Sequence, residues 1–479
     1  MQKKRILFVV KTCFVFLIAV KLAGQTALID QPGVSLISRT TGHAIHSYFD
    51  ICPESPDGTR VLYFSFELNA PGYGKVIVAR KDGSGARVVG ERIYSNNHDS
   101  VRQMWIDDST VAYSSESKFE TYVVNLNTKE MRTLPGEMRN YSHALNKGLT
   151  VKSKSINSID VAMVVVMNLE SATLDTLFNT NDLAAVHPAG EELIDNKYAN
   201  LKHPKWSPDG KHLMVKLKAN DKTGNRSIAK SIIIADADGT NLLYISDKSN
   251  HAMWISNNEY IAYDGNDDVV IYNIEDRTER YLWKNAKGVH GSTNADNTLF
   301  ITDTFDWPIT KRGSLILFDI IEQSYSVIAE MNMPAQSYED RVHPHPVWSR
   351  DFKRIYFNSE DDGERKVYAY DIPDSILTSV SQTYNPDKIK LEAFPNPFNA
   401  STNIIVELME KSNGTLQIYD TTGSVVATLY NGEFEKGINS INWSPNKASN
   451  IPVSSGVYFC RYISSENNYS KSLKMLLLK

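Results

Sequence analysis

The chain has 479 residues, 42% of them hydrophobic and 10% aromatic, enough to bury a large core or more than one. With 51 Lys and Arg against 56 Asp and Glu its formal charge is -5, which argues against a nucleic-acid partner, since that would need a dominant basic surface. Any anionic ligand must therefore meet a local cationic site.

The first segment, MQKKRILFVVKTCFVFLIAVKLAGQ, starts with Lys3, Lys4 and Arg5, continues through an apolar run and reaches Ala23 and Gly24. That is the pattern of a secretory signal peptide over 1–24, and Lys11 and Lys21 interrupt it too often for a membrane span. Its removal takes five basic residues and leaves about 46 against 56 acids, a balance near -10. Cys13 leaves with it, and Cys52 and Cys460 alone imply no disulfide framework.

From about residue 40 to 375 one unit recurs. SPDGTRVLYFSFE at 55–67, WSPDGKHLMVKLK at 206–218 and WSRDFKRIYFNSE at 348–360 are each a tight turn followed by a strand read as alternating. Weaker copies start at Trp105, Trp254 and Ser292, and a second apolar strand follows each, as in KVIVARKDGSG from Lys75 or VVIYNIEDRTE from Val269. The stretch 142–187 lacks the turn but keeps the second strand, DVAMVVVMNLESATL. Seven units of roughly 40 to 55 residues predict an all-β chain with a seven-bladed β-propeller over 25–375.

Positions that correspond between blades lie on one ring around a propeller's channel. Eight of the 11 histidines sit just ahead of an expected innermost strand: His46, His98, His143, His203, His251, His290, and His343 with His345. The expectation is a ring of imidazoles at one mouth. His343 and His345, two apart on one face of a strand, are candidate ligands of a divalent metal ion. Asp340, three residues earlier, could add an oxygen, and His290 comes from the neighbouring blade. A single His beside Pro, as in HPKWSPDG, reads equally as a turn cap.

After a polar connection at 376–390 the composition shifts. FPNPFNASTNI, LQIYDTTGSVV, SSGVYFCRY and KSLKMLLLK alternate strands with Gly and Asn turns, which predicts a small immunoglobulin-like β-sandwich over 391–479.

Two resemblances follow. The seven units, the HPHP turn, GVHGSTNADNTLFITDTF and SNHAMWISNNEYIAY resemble the oligogalacturonate lyases, seven-bladed polysaccharide lyases also called pectate lyase family 22. The resemblance implies a metal, manganese in that family, held by His290, His343 and His345. The family's fourth ligand is a glutamine, and Asp340 stands in its place. It also implies His251 as the proton-abstracting base and Arg226 as the assisting cation, although GNR at Arg226 reads equally as a solvated hairpin tip. The implied reaction is β-elimination on oligogalacturonate or a related uronate oligomer. Asn396–Phe398, Gly456–Tyr458 and the Lys-rich end resemble the C-terminal sorting domain of the type IX secretion system. That implies passage through the periplasm and outer membrane, removal of the domain on the way, and a secreted or surface-attached product. A non-catalytic glycan- or protein-binding propeller, exported the same way, is the alternative.

Overall fold

The computed structural model describes residues 27–70, 72–95, 99–156, 158–264, 268–286, 288–306, 312–321, 323–332, 343–361, 363–376, 389–408, 411–420, 425–445, 453–464 and 470–478. The leader, His98, Asp340 and most of 376–390 lie outside these residues.

Between residues 34 and 371 the strands pair into seven four-stranded antiparallel sheets, the seven blades expected from the repeats. Blade one joins Ala44–Ile45, Arg60–Phe66, Tyr73–Arg80 and Arg87–Tyr94. Blade four joins Ala199–Trp206, His212–Asn220, Ser227–Asp236 and Leu243–Ser246. The second and third strands do not alternate as read from the sequence. Six of seven residues in Arg60–Phe66 are buried, and Val161–Met167 is buried throughout. Each blade packs both faces against neighbours, so both side-chain sets leave water, as in other sheets covered on both sides. The fourth strands, such as Arg87–Tyr94 and Met131–Pro135, form the rim and are mostly exposed.

Seven apolar clusters, one at each blade junction, make up the core. Between blades one and two, Leu62, Phe64 and Val78 meet Trp105, Val111 and Val124. Blade seven closes the ring with a strand from the far end of the chain: Val34–Leu36 pairs with Lys366–Asp371, Val34 opposite Tyr370 and Leu36 opposite Tyr368. Val34–Leu36 is therefore the outermost strand of blade seven, so the first and last segments of the propeller share one sheet, and the repeats, counted from residue 40, did not reveal it.

The turn leaving each innermost strand is held locally. Ser55 donates to Asp57 (2.5 Å), Ser207 to Asp209 (2.8 Å) and Ser349 to Asp351 (2.6 Å). Residues 389–477 form a three-stranded and a four-stranded sheet sharing one core of Ile404, Val406, Leu416, Ile418, Trp443, Cys460, Tyr462 and Met475. Here burial does alternate, as in Thr402–Leu408, because each sheet covers a core on one face only. Both described cysteines are free thiols.

Candidate metal centre and adjoining cavity

The innermost strands carry a repeated backbone distortion. Trp105, Trp206, Trp254 and Trp348 occupy one register position and are all buried. Three residues before each stand Arg102, His203, His251 and His345, and all four have left-handed φ, between 48° and 51°. The ladders of blades four and five shift register there, between Lys202 and Lys205 and between Asn250 and Met253. A left-handed bulge residue breaks the pleat and re-aims its side chain. His290 holds the corresponding place in blade six, since Asn294 N–H bonds Leu299 O there as Ser207 N–H bonds His212 O in blade four. Gly291 beside it is needed: a Cβ would lie 2.5 Å from the Phe300 ring and 2.6 Å from Ile301 O.

These side chains converge. The His290 ring is centred 4.3 Å from that of His251, 4.4 Å from His345 and 5.0 Å from His343. His290, His343 and His345 are buried, and one ligand nitrogen from each lies within 4.8 Å of the others. Tyr48 and Phe49 of blade one cover the group, 4.8 Å from His345 and 5.2 Å from His290.

Asp303, on the second strand of blade six, organises the cluster from behind. Its carboxylate is fully buried, accepts the backbone N–H of His290 (2.8 Å) and of His345 (3.2 Å), and lies 3.0 Å from His290 Nδ1. An ionised carboxylate only accepts, so Nδ1 carries the proton and Nε2 keeps its lone pair. A carboxylate on one ring nitrogen, fixing the tautomer and leaving the other nitrogen available to bind, is how metal-ligating histidines are commonly oriented. Burial pushes Asp303 up to about 6, against the pull of His343 and the two backbone donors. Three buried imidazoles, one oriented by a carboxylate, fit a divalent metal of borderline softness.

His251 sits beside this group and also lines a cavity of about 790 Å³ with Tyr48, Phe119, Arg139, Lys152, Lys202 and His203. Burial, and after it His290, holds His251 well below the usual imidazole value, so the ring is neutral near pH 7. Arg102 is 2% exposed, lies 5.4 Å over the Tyr48 ring, and pairs with Asp99 and, at 3.8 Å, with Glu137. Burial works against its charge, but Asp99, Asp50 and Glu137 outweigh it and raise its pKa.

The structure thus brings His251, His290, His343 and His345 together. It does not bring Arg226 to them. Arg226 is exposed on the blade-four hairpin, paired with Glu192 at 2.8 Å and near Asp221 at 3.8 Å. The imidazole ring is also smaller than expected. His143 follows its strand, Asn140–Ser142, and lines a separate recess with Asp50, Cys52, Trp105 and Arg350. Arg102, Asp303, Tyr48 and Phe49 were not singled out from sequence. Counting three back from the recurrent tryptophans would have found Arg102.

Comparison with known proteins fits this geometry. Residues 392–475 match the secretion system C-terminal sorting domain. The propeller is similar to the oligogalacturonate lyases. The chain is 26% identical to the oligogalacturonate lyase of Dickeya dadantii over 29% of its own length and 42% of that protein's. It is 26% identical to the oligogalacturonide lyase of Pectobacterium atrosepticum over the same shares. The matches therefore span about two fifths of those relatives. An oligogalacturonate lyase solved in complex with manganese shares the fold, with a TM-score of 0.56 at 16% identity, covering 72% of this chain and 94% of that one. One from Vibrio parahaemolyticus has a TM-score of 0.56 at 17% identity over 71% and 94%. The type IX sorting domain marks the chain for export to the exterior or the cell surface.

Proposed function

We propose that this protein is an exported lyase-like propeller that cleaves oligogalacturonate, or a related uronate oligomer, by β-elimination. The observation that carries the reading is a neutral imidazole, His251, 4.3 Å from a buried three-histidine cluster and facing a cation-lined cavity. His251 takes the C5 proton of the uronate, the C4=C5 double bond forms as the C4–O bond breaks, and the leaving oxygen is protonated from solvent. His290, His343 and His345 would hold a divalent ion, manganese by analogy with the lyase of the same fold, and Asp340 is a candidate fourth ligand. Such an ion supplies Lewis-acid neutralisation of the carboxylate as negative charge builds beside it. Asp303 keeps His290 in the tautomer and orientation that a ligand needs. Arg139, Lys152 and Lys202 hold further carboxylates of the substrate. Arg226 is left out of this assignment.

The test is the ultraviolet absorbance of the conjugated product when the metal-loaded protein meets oligogalacturonate. Loss of that signal in His251→Ala with metal retained supports the reading. A wild-type protein that holds metal and binds the sugar without producing the chromophore would favour the glycan-binding alternative, toward which the distant position of Arg226 points.

A further inference from the structure

Blade four carries an arrangement that a folded sheet ordinarily avoids. In its ladder Lys202 stands directly opposite Lys216, and one row away Lys218 stands directly opposite Lys230. Like charges in directly opposed cross-strand positions repel. Residues 216 and 218 are two apart on one strand, so all four lysines project from the same face. Among the described residues none of the four has a carboxylate within ion-pairing distance, whereas other lysines of the propeller, such as Lys205 with Asp50 at 3.1 Å, are paired. Lys216 is instead hydrogen-bonded to Asn250 Oδ1 at 2.9 Å. Burial, then Lys218, Lys230, Lys202 and Lys205, lowers it to about 8, which places all of these cations in one field.

The strip has a direction. Lys202 and Asn200, the first residues of its two rows, line the cavity beside His251, and the rows run outward across the next two strands. Neighbouring strands are about 4.8 Å apart, so the cations extend roughly 10 Å from the cavity wall. Uncompensated positive charge on a chain of net charge -5, continuous with a cavity already lined by cations, calls for a linear anion that enters the cavity at one end.

We propose that Lys202, Lys216, Lys218 and Lys230 form a track for the part of a uronate oligomer that extends beyond the cavity, so that the protein prefers longer acidic oligosaccharides to dimers. This rests on the proposed function above. Lys218 and Lys230 lie farthest from the cavity and isolate the effect.

The experiment is calorimetric titration of the full metal-loaded chain with digalacturonate and hexagalacturonate in the His251→Ala background, which does not turn the sugar over, comparing that parent with the same chain carrying Lys218→Gln/Lys230→Gln; wild type is assayed beside them for binding and unsaturated product. The expected result is about a tenfold loss of hexamer affinity, erased for both proteins at high salt, with dimer affinity unchanged and the melting temperature of the variant equal or higher because repulsion is relieved. An equal change for both lengths, or none, overturns the track while leaving the lyase reading standing. Absence of both binding and unsaturated product in wild type overturns the lyase reading and the track with it. Poly-glutamate bound as tightly as hexagalacturonate, with the same dependence on Lys218 and Lys230, would make the strip a general polyanion surface and overturn the proposal.

Discussion

The two ends of the innermost strands are built from the same repeats and behave oppositely. At the end where the chain turns into the second strand, most polar groups are satisfied within a few residues or by the adjacent blade, the buried indole N–H of Trp206 being the exception. Ser207 bonds Asp209, and the indole N–H groups of Trp105, Trp254 and Trp348 donate to Pro53 O (2.8 Å), Lys205 O (3.3 Å) and Ser292 O (3.1 Å). At the other end left-handed residues break the ladder, four imidazoles crowd together and four lysines face one another. One end is locally consistent and the other is frustrated in ways a ligand would relieve, which is the division expected between scaffold and site.

The sharpest way to break this contrast is at the cluster. His343→Ala/His345→Ala should lose bound metal and the ultraviolet product signal entirely while the circular dichroism of the β-sheets is kept; unfolding instead would make these histidines part of the scaffold. His251→Ala should lower turnover by about 100-fold or more with metal content unchanged, as measured by elemental analysis and initial rates.

Acid should act on the same end. Burial, opposed by the backbone of His345 and Pro344, holds His46 down at about 4, and burial followed by Lys205 and Arg102 holds His203 well below the ordinary value of 6.5. Between those limits the unfolded chain binds more protons than the folded one. The contribution is complete above pH 6.5 and is lost as pH falls toward 4, by about 1.4 kcal/mol per pH unit for His46. Urea unfolding at pH 7 and pH 5 should show it, and equal stabilities would contradict it.

A smaller effect is expected behind the histidine cluster. Asp303→Asn should weaken metal binding by about 10- to 100-fold in a chelator competition, because the amide no longer fixes the His290 tautomer by charge. Smallest is the opposite end. Asp209→Ala should cost about 1 kcal/mol in a melt, through lost turn hydrogen bonds, and leave metal affinity as it was.

Repetition of turn and strand is a local pattern, so the all-β class, the seven blades and the C-terminal sheets were legible in the chain. The export tail was legible for the same reason: its motifs are short and contiguous. His290, His343 and His345 were readable as a set because each blade places equivalent residues on one ring. Sequence position alone could not separate His143 from them, since the side of the strand on which a residue falls depends on where the turn closes. The unpaired lysines of blade four also needed the ladder: Lys202 and Lys216, or Lys218 and Lys230, are 14 and 12 residues apart, and only strand register makes them opposite. Arg226 shows the same limit, because a hairpin tip can fold toward the channel or away, and Glu192 holds it away. Asp303 is the plainest case. In the sequence it is one acid in a strand, and only the packing of blade seven against blade six brings the backbone of His345 to its carboxylate. The chain by itself determined which elements form, through local periodicity, while contacts between distant segments decided which side chains meet.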